Sequence, residues 1–167
     1  APLLGDGTSL PNSPRAVSLD GRFVAFESLA TNLVPGDTNG SSDIFVRDRL
    51  LATTWRVSVD SLGNQADGRS GSPAISADGR FVAFESSAAN LVAGDANSAS
   101  DVFVHDRSTG VTERVSTDTA GGQHGGPRLH PSISADGRFV TLHSRADLVP
   151  VDDNGFQVEL ATVIENS

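Results

Sequence analysis

The 167-residue chain has no cysteine, no methionine and no tyrosine, and its 12 basic residues are all arginine. Without cysteine no disulfide framework can hold the fold, and the redox compartment cannot be read from thiols. A translated chain opens on methionine whereas this one opens Ala1-Pro2, so a processed or excised product is expected. No run of about 18 apolar residues occurs, which excludes a helical membrane span; with any signal segment already removed, a secreted or cell-surface location is expected. Basic residues are scarce against 21 acids, giving a net charge of −9. That balance disfavours nucleic acid, because a phosphate backbone is bound by clustered Lys and Arg. The acidity serves either a solvated surface or, since the acids recur periodically, cation binding.

What the chain has in abundance is repetition. Ser76-Ala77-Asp78-Gly79-Arg80-Phe81-Val82-Ala83-Phe84-Glu85-Ser86 recurs in nearly the same form at Ser18 to Ser28 and at Ser134 to Ser144. Asp20, Asp78 and Asp136 stand 58 residues apart each time, close to the period of supersecondary repeat units, roughly 20 to 50 residues. Length indicates one domain, and the repeats divide 1–167 into an N-terminal arm (1–13), repeat 1 (14–71), repeat 2 (72–130) and a truncated repeat 3 (131–167).

A full repeat reads as four strands. In repeat 1, Arg15-Ala16-Val17-Ser18 and Arg22 to Ser28 are β-prone runs joined by Asp20-Gly21. That is the strongest short hairpin signal, and it predicts a type I′ turn with positive φ at both central residues. Phe23 to Phe26 has no polar alternation, so this strand should be covered on both faces. After a long polar connection, Asp43 to Arg47 and Thr53 to Ser58 read as the third and fourth strands. Repeat 2 retraces the pattern with Pro73 to Ser76, Arg80 to Ser86, Asp101 to His105 and Val111 to Ser116. Its last turn, Asp106 to Gly110, carries turn residues, whereas Asp48 to Ala52 in repeat 1 departs from them. Repeat 3 keeps two strands, and Asp152-Asp153-Asn154-Gly155 then leads into one closing strand, Phe156 to Ile164.

Copies that open Ser-x-Asp-Gly-Arg-Phe-Val-Ala-Phe at Ser18 and Ser76, and close Asp-(Ile/Val)-Phe-Val-x-Asp-Arg at Asp43 and Asp101, resemble the blades of TolB-type β-propellers. The resemblance covers nearly the whole chain. It implies an all-β fold of four-stranded antiparallel propeller-type blades, about three per chain, the last incomplete. Such blades identify a fold better than an activity, because similar ones occur in binding proteins, assembly factors and non-catalytic domains of peptidases. Propellers close with about four to eight blades, and a period of 58 in 167 residues gives slightly under three. Open blade faces and sheet edges invite pairing with another chain. Copies of the chain itself are therefore the expected partner, in a ring of two or a head-to-tail array, with the N-terminal arm, the C-terminal strand, or both pairing with the neighbour, which deletion of Ala1 to Leu10 or of Val158 to Ser167 would test.

One constellation has ligand spacing. Asp37, Asn39, Ser41 and Asp43 recur as Asp95, Asn97 and Asp101, with the Ala99 carbonyl at the serine's place, and resemble the front half of calcium loops, where a hard cation collects six to eight oxygens. Calcium is the expected cofactor; the competing reading is a set of Asx turns leading into the third strand. The third copy keeps Asp152 and Asn154 but loses the last aspartate, so its site should be weaker. No catalytic residue is assigned. Gly68 to Ser72 lacks the final glycine of a nucleophile elbow, and His105, His124, His130 and His143 occupy different phases of the repeat, as drifting surface or strand positions do. Trp55 reads as packing or as a sugar-stacking surface. Arg22, Arg80 and Arg138 follow every hairpin turn and should make ion pairs or carbonyl contacts along blade edges. The expected function is a non-enzymatic, calcium-binding, self-associating structural module. The alternatives are an oligomeric propeller that binds carbohydrate or peptide, and the accessory domain of a hydrolase.

Overall fold

The computed structural model describes residues 15–117, 122–123, 129–144 and 157–162. Among these every regular element is a strand. β1 (Arg15–Val17), β2 (Phe23–Ser28), β3 (Asp43–Asp48) and β4 (Thr53–Arg56) form one antiparallel sheet in chain order. β5 (Ser70–Ile75), β6 (Phe81–Ser86), β7 (Asp101–Asp106) and β8 (Thr112–Arg114) form a second in the same order. β9 (Ser132–Ile133), β10 (Phe139–Ser144) and β11 (Gln157–Thr162) form a third. The registers repeat as well: Ser28 faces Asp43, Ser86 faces Asp101 and Ser144 faces Gln157, so β11 takes the place of a third strand. The N-terminal arm, most of the Asp152–Ser167 tail and His124 lie outside the described residues.

The hairpin between β1 and β2 forms as expected, but its turn is of a different type. Positive φ falls on Gly21 alone (71°), and the Gly21 N–H donates to the Ser18 carbonyl at 2.9 Å. Side chains hold the loop: Ser18 Oγ donates to Asp20 Oδ1 at 2.6 Å and accepts the Phe23 N–H at 2.9 Å, while Asp20 also accepts the Arg22 N–H at 3.0 Å. The same bonds recur at Ser76 and Ser134. The Asp-Gly pair thus acts through an Asx-type turn with the aspartate at negative φ, so the left-handed region is needed only at the glycine.

Packing follows the period-two alternation of the strands. Ala25, Ile44 and Val46 of the first sheet, with Val57 just past β4, meet Val82, Phe84 and Phe103 of the second in one apolar layer. Phe81, Ala83, Val102 and Val104, on the opposite face of the second sheet, meet Val140 and Leu142 of the third in another. The middle strand β6 is buried at all six positions, as its unbroken apolar run requires, whereas β2 is only partly buried. The same sequence, Phe-Val-Ala-Phe-Glu-Ser, therefore lies in two environments. Among the described residues, what differs is whether a sheet stands on its outer side.

A second contact joins neighbouring sheets at their turn ends. The Phe23 ring rests on the Cα of Gly79 and the Phe81 ring on that of Gly137, each so closely that a Cβ on the glycine would overlap the ring. Beside them, Leu19 N–H donates to the Ala77 carbonyl and Ala77 N–H to the Ala135 carbonyl, both at 2.9 Å.

Candidate functional site

The acidic loop of repeat 1 assembles as its spacing suggested, but what it gathers is protein. Asn39 Oδ1 accepts the Ser41 N–H at 2.9 Å, an Asx turn that leaves the amide nitrogen facing inward. That nitrogen lies 3.2 Å from Asp43 Oδ2 and 2.9 Å from the Ala66 carbonyl. Gln65 enters from the next loop; its Oε1 accepts the Thr38 N–H at 3.2 Å, and its Nε2 then donates to Asp37 Oδ1 at 2.8 Å and to Asp43 Oδ2 at 2.9 Å. Ser58 Oγ donates to Asp43 Oδ1 at 2.6 Å. Arg56, reaching from β4, closes the group with Nη1 3.6 Å from Asp37 and 3.4 Å from Asp43. Burial pushes the Asp43 carboxyl up, against the donors Ser58 and Gln65 and the Arg56 charge.

Repeat 2 follows the plan in part, with Arg114 reaching Asp95 alone and its Nε and Nη1 buried without a hydrogen-bond partner among the described residues. Asn97 Oδ1 accepts the Ala99 N–H and its Nδ2 donates to Asp101 Oδ2, both at 2.9 Å. Ser116 Oγ donates to Asp101 Oδ1 at 2.5 Å, and Arg114 Nη1 lies 3.3 Å from Asp95 Oδ1. Burial, then the Asp101 charge, pushes the Asp95 carboxyl up. Gln123 bridges to this loop too, accepting the Ala96 N–H at 3.1 Å and donating to the Gly94 carbonyl.

Asp37, Asn39, Ser41 and Asp43, and Asp95, Asn97 and Asp101, are thus brought together, with Ser41 and Ala99 contributing backbone N–H. Asp152 and Asn154 lie outside the described residues. Among the described residues no group of three or more His, Cys, Asp and Glu is placed to hold a metal. The arrangement around Asp43 fits a calcium ion poorly: a guanidinium already stands between the two carboxylates, and two amides fixed by backbone N–H groups present nitrogen where oxygen would be needed. The residues missed from the sequence were Arg56, Ser58 and Gln65. Their signal was there, since Arg114, Ser116 and Gln123 follow each of them by 58 residues.

The other singled-out residues also have places. Arg22 and Arg80 make the edge ion pairs expected of them: Arg80 Nε and Nη2 grip Asp106 at 2.9 and 2.7 Å, and Arg22 grips Asp48 Oδ2 at 3.0 and 2.7 Å. Arg22 holds the Asp48 carboxyl down to about 2. Burial opposes the same effect at Asp106, but donors from Arg80, Ser108 and Thr109 still bring it to about 2. Arg138 lies over the Phe139 ring. His105 is a strand residue as expected but no surface one: it is 7 % exposed, bonds Thr112 Oγ1 through Nδ1 at 2.9 Å and is pushed down to about 4 by burial. Arg47, its counterpart, makes the same contact with Thr54. Trp55 is half exposed, with the Arg107 guanidinium over its ring. A cleft of about 540 Å³ between the loop after β4 and the loop after β6 is lined by Asp60, Ser61, Leu62, Asn90, Gly94 and Thr112, among others.

No protein-family profile and no curated protein matches the chain. Solved structures do. A putative TolB from Agrobacterium tumefaciens aligns at 19 % identity over 97 % of this chain and 49 % of that one, with a TM-score of 0.55. The tricorn protease aligns at 15 % over 95 % of this chain and 13 % of that one, with a TM-score of 0.51. The β-propeller domain of the Trilobed protease from Pyrococcus furiosus aligns at 16 % over 84 % and 35 %, with a TM-score of 0.47. The chain thus spans about half of the TolB structure it matches and less of the others. At these identities the likeness speaks for the fold, and it agrees with the repeated registers: the chain is built of TolB-like β-propeller blades.

Proposed function

We propose that this chain is a non-enzymatic β-propeller module that works by self-association through its outer blade faces. One observation carries the reading. Val17, Val24, Phe26 and Leu33 of the first blade are the repeat counterparts of Ile75, Val82, Phe84 and Leu91 of the second. In the second blade Val82 and Phe84 are 0 % exposed and Leu91 2 %, whereas Val17 is 54 % exposed and Val24, Phe26 and Leu33 are only half-buried. Among the described residues Val17, Val24, Phe26 and Leu33 of this apolar face are thus left partly wet, while Phe45 and Ala30, the counterparts of Phe103 and Ala88, are buried; covering the wet part recovers about 25 cal/mol per Å². Sedimentation equilibrium tests the reading: self-association is expected at micromolar concentration, and a monomer throughout would overturn it.

The acidic loops, on this reading, are internal braces closed by Arg56 and Arg114. Calcium would enter by displacing a guanidinium, and calcium titration against the melting temperature decides between the two. A secreted or cell-envelope location is part of the proposal; cell fractionation checks it. The cleft at Asp60 and Asn90 supports a second reading, a carbohydrate or peptide site, because its volume falls in the range of small-molecule pockets, roughly 300 to 1,000 Å³. A glycan and peptide array with Asn90→Ala as control separates that reading from pure assembly.

A further inference from the structure

The two joints inside the chain share one plan, and by register each outer blade carries one half of it. A joint seats the Phe of one blade on the turn glycine of the next, Phe23 on Gly79 and Phe81 on Gly137. A turn N–H crosses to the next turn's carbonyl, Leu19 to Ala77 and Ala77 to Ala135. At the first joint Arg107 caps the seated ring, its guanidinium 4.4 Å from the Phe23 centroid, and donates to the Gly79 carbonyl. By the same register Phe139 and the Ala135 N–H are the leading half of a further joint, and Gly21, the Leu19 carbonyl and Arg49 the receiving half. Among the described residues the Gly21 surface is open: a Cβ there would meet only Arg49 Nη1, at 3.7 Å. Arg49 is exposed and already donates to the Gly21 carbonyl at 2.9 Å, as Arg107 does to Gly79.

We propose that two copies of this chain join head to tail through this third joint, Phe139 of one copy seating on Gly21 of the other beneath Arg49. The proposal rests on the self-association reading and names its surface. Both halves flank the faces it would bury: Val24 and Phe26 lie beside Gly21, and half-buried Thr141 lies beside Phe139. Two copies of these three sheets supply six, within the roughly four to eight at which propellers close.

The cysteine-free chain makes trapping clean. In the control pair Phe23→Cys/Gly79→Cys, a Cβ on residue 79 lies 3.1 Å from that of residue 23, shorter than the roughly 3.5–4.5 Å of disulfides, so a small separation of the two turns should let oxidation close a bond within one chain. Mixing the single variants Gly21→Cys and Phe139→Cys should give covalent heterodimer on oxidation, and Phe139→Ala should weaken wild-type association at least tenfold. Thr141→Asp on the same face is the second variant should the alanine protein not fold. A wild-type protein that stays monomeric overturns the self-association reading itself. A wild-type oligomer whose affinity neither variant changes, or one that the mixed cysteines do not trap while the control pair closes, overturns this joint and leaves association to another surface.

Discussion

Single residues account for differences that the repeats leave unexplained. Ala52 stands at φ 55° where Gly110 in the second blade stands at 79°, and Ser98 at 54° where Gly40 stands at 64°. The irregular turn Asp48 to Ala52 is thus the ordinary blade turn with a side chain forced into the left-handed region, which costs roughly 1 to 2 kcal/mol in an L-residue, less the entropy a glycine loses on folding. Ala52→Gly should raise stability by about 0.5–1 kcal/mol, read from urea midpoints at unchanged slope. His105 offers a pH test. Its folded value of about 4 lies below the ordinary 6.5, so the unfolded chain takes up a proton first and stability must fall as pH drops from 6.5 to about 4. The loss is on the order of 3 kcal/mol for a shift of that size. His105→Gln should flatten urea midpoints over that window, and an unchanged slope would show the imidazole to be charged in the fold. None of this was legible in the sequence, where His105 is only a substitution for Arg47; burial of that position depends on the blade it lies in.

At the scale of the element, the strands and their register were legible because period-two patterning and the turn residues agree in every copy. The braces between strands were less so. Arg22 and Arg80 could be foreseen as edge ion pairs, whereas Arg56 and Gln65 approach Asp43 across 13 and 22 residues of chain and nothing local marks their aim. The carboxylates accordingly divide by sign. Asp48 and Asp106, held near 2, contribute stability above about pH 4 that is lost as pH falls toward 2; Asp43 and Asp95, pushed up by burial, shift the balance the other way. Asp106→Asn should remove part of the acid limb of a pH–stability profile. Arg56→Ala leaves two carboxylates together in a buried loop, and should cost about 3 kcal/mol or more if the brace reading holds. Addition of calcium should leave the wild-type melting temperature in place and raise that of Arg56→Ala, where the guanidinium no longer fills the space; a rise in the wild type would restore the calcium reading.

The whole molecule turns on contacts between blades, which no local pattern displays. A phenylalanine after each Asp-Gly-Arg is plain in the sequence, but that its ring rests on the glycine of the following copy emerges only when the sheets are stacked. Repeat equivalence makes this scale testable with one substitution made twice. Val82→Asp places a carboxylate in a fully buried layer and should unfold the protein, whereas Val24→Asp at the counterpart position should leave the fold, by circular dichroism, and abolish association. The most direct measurement is the mass of the wild-type chain by sedimentation equilibrium from low to high micromolar concentration. The expected result is a single dimer of two 17.3 kDa chains that falls to monomer in Val24→Asp. A wild-type monomer at every concentration would contradict it.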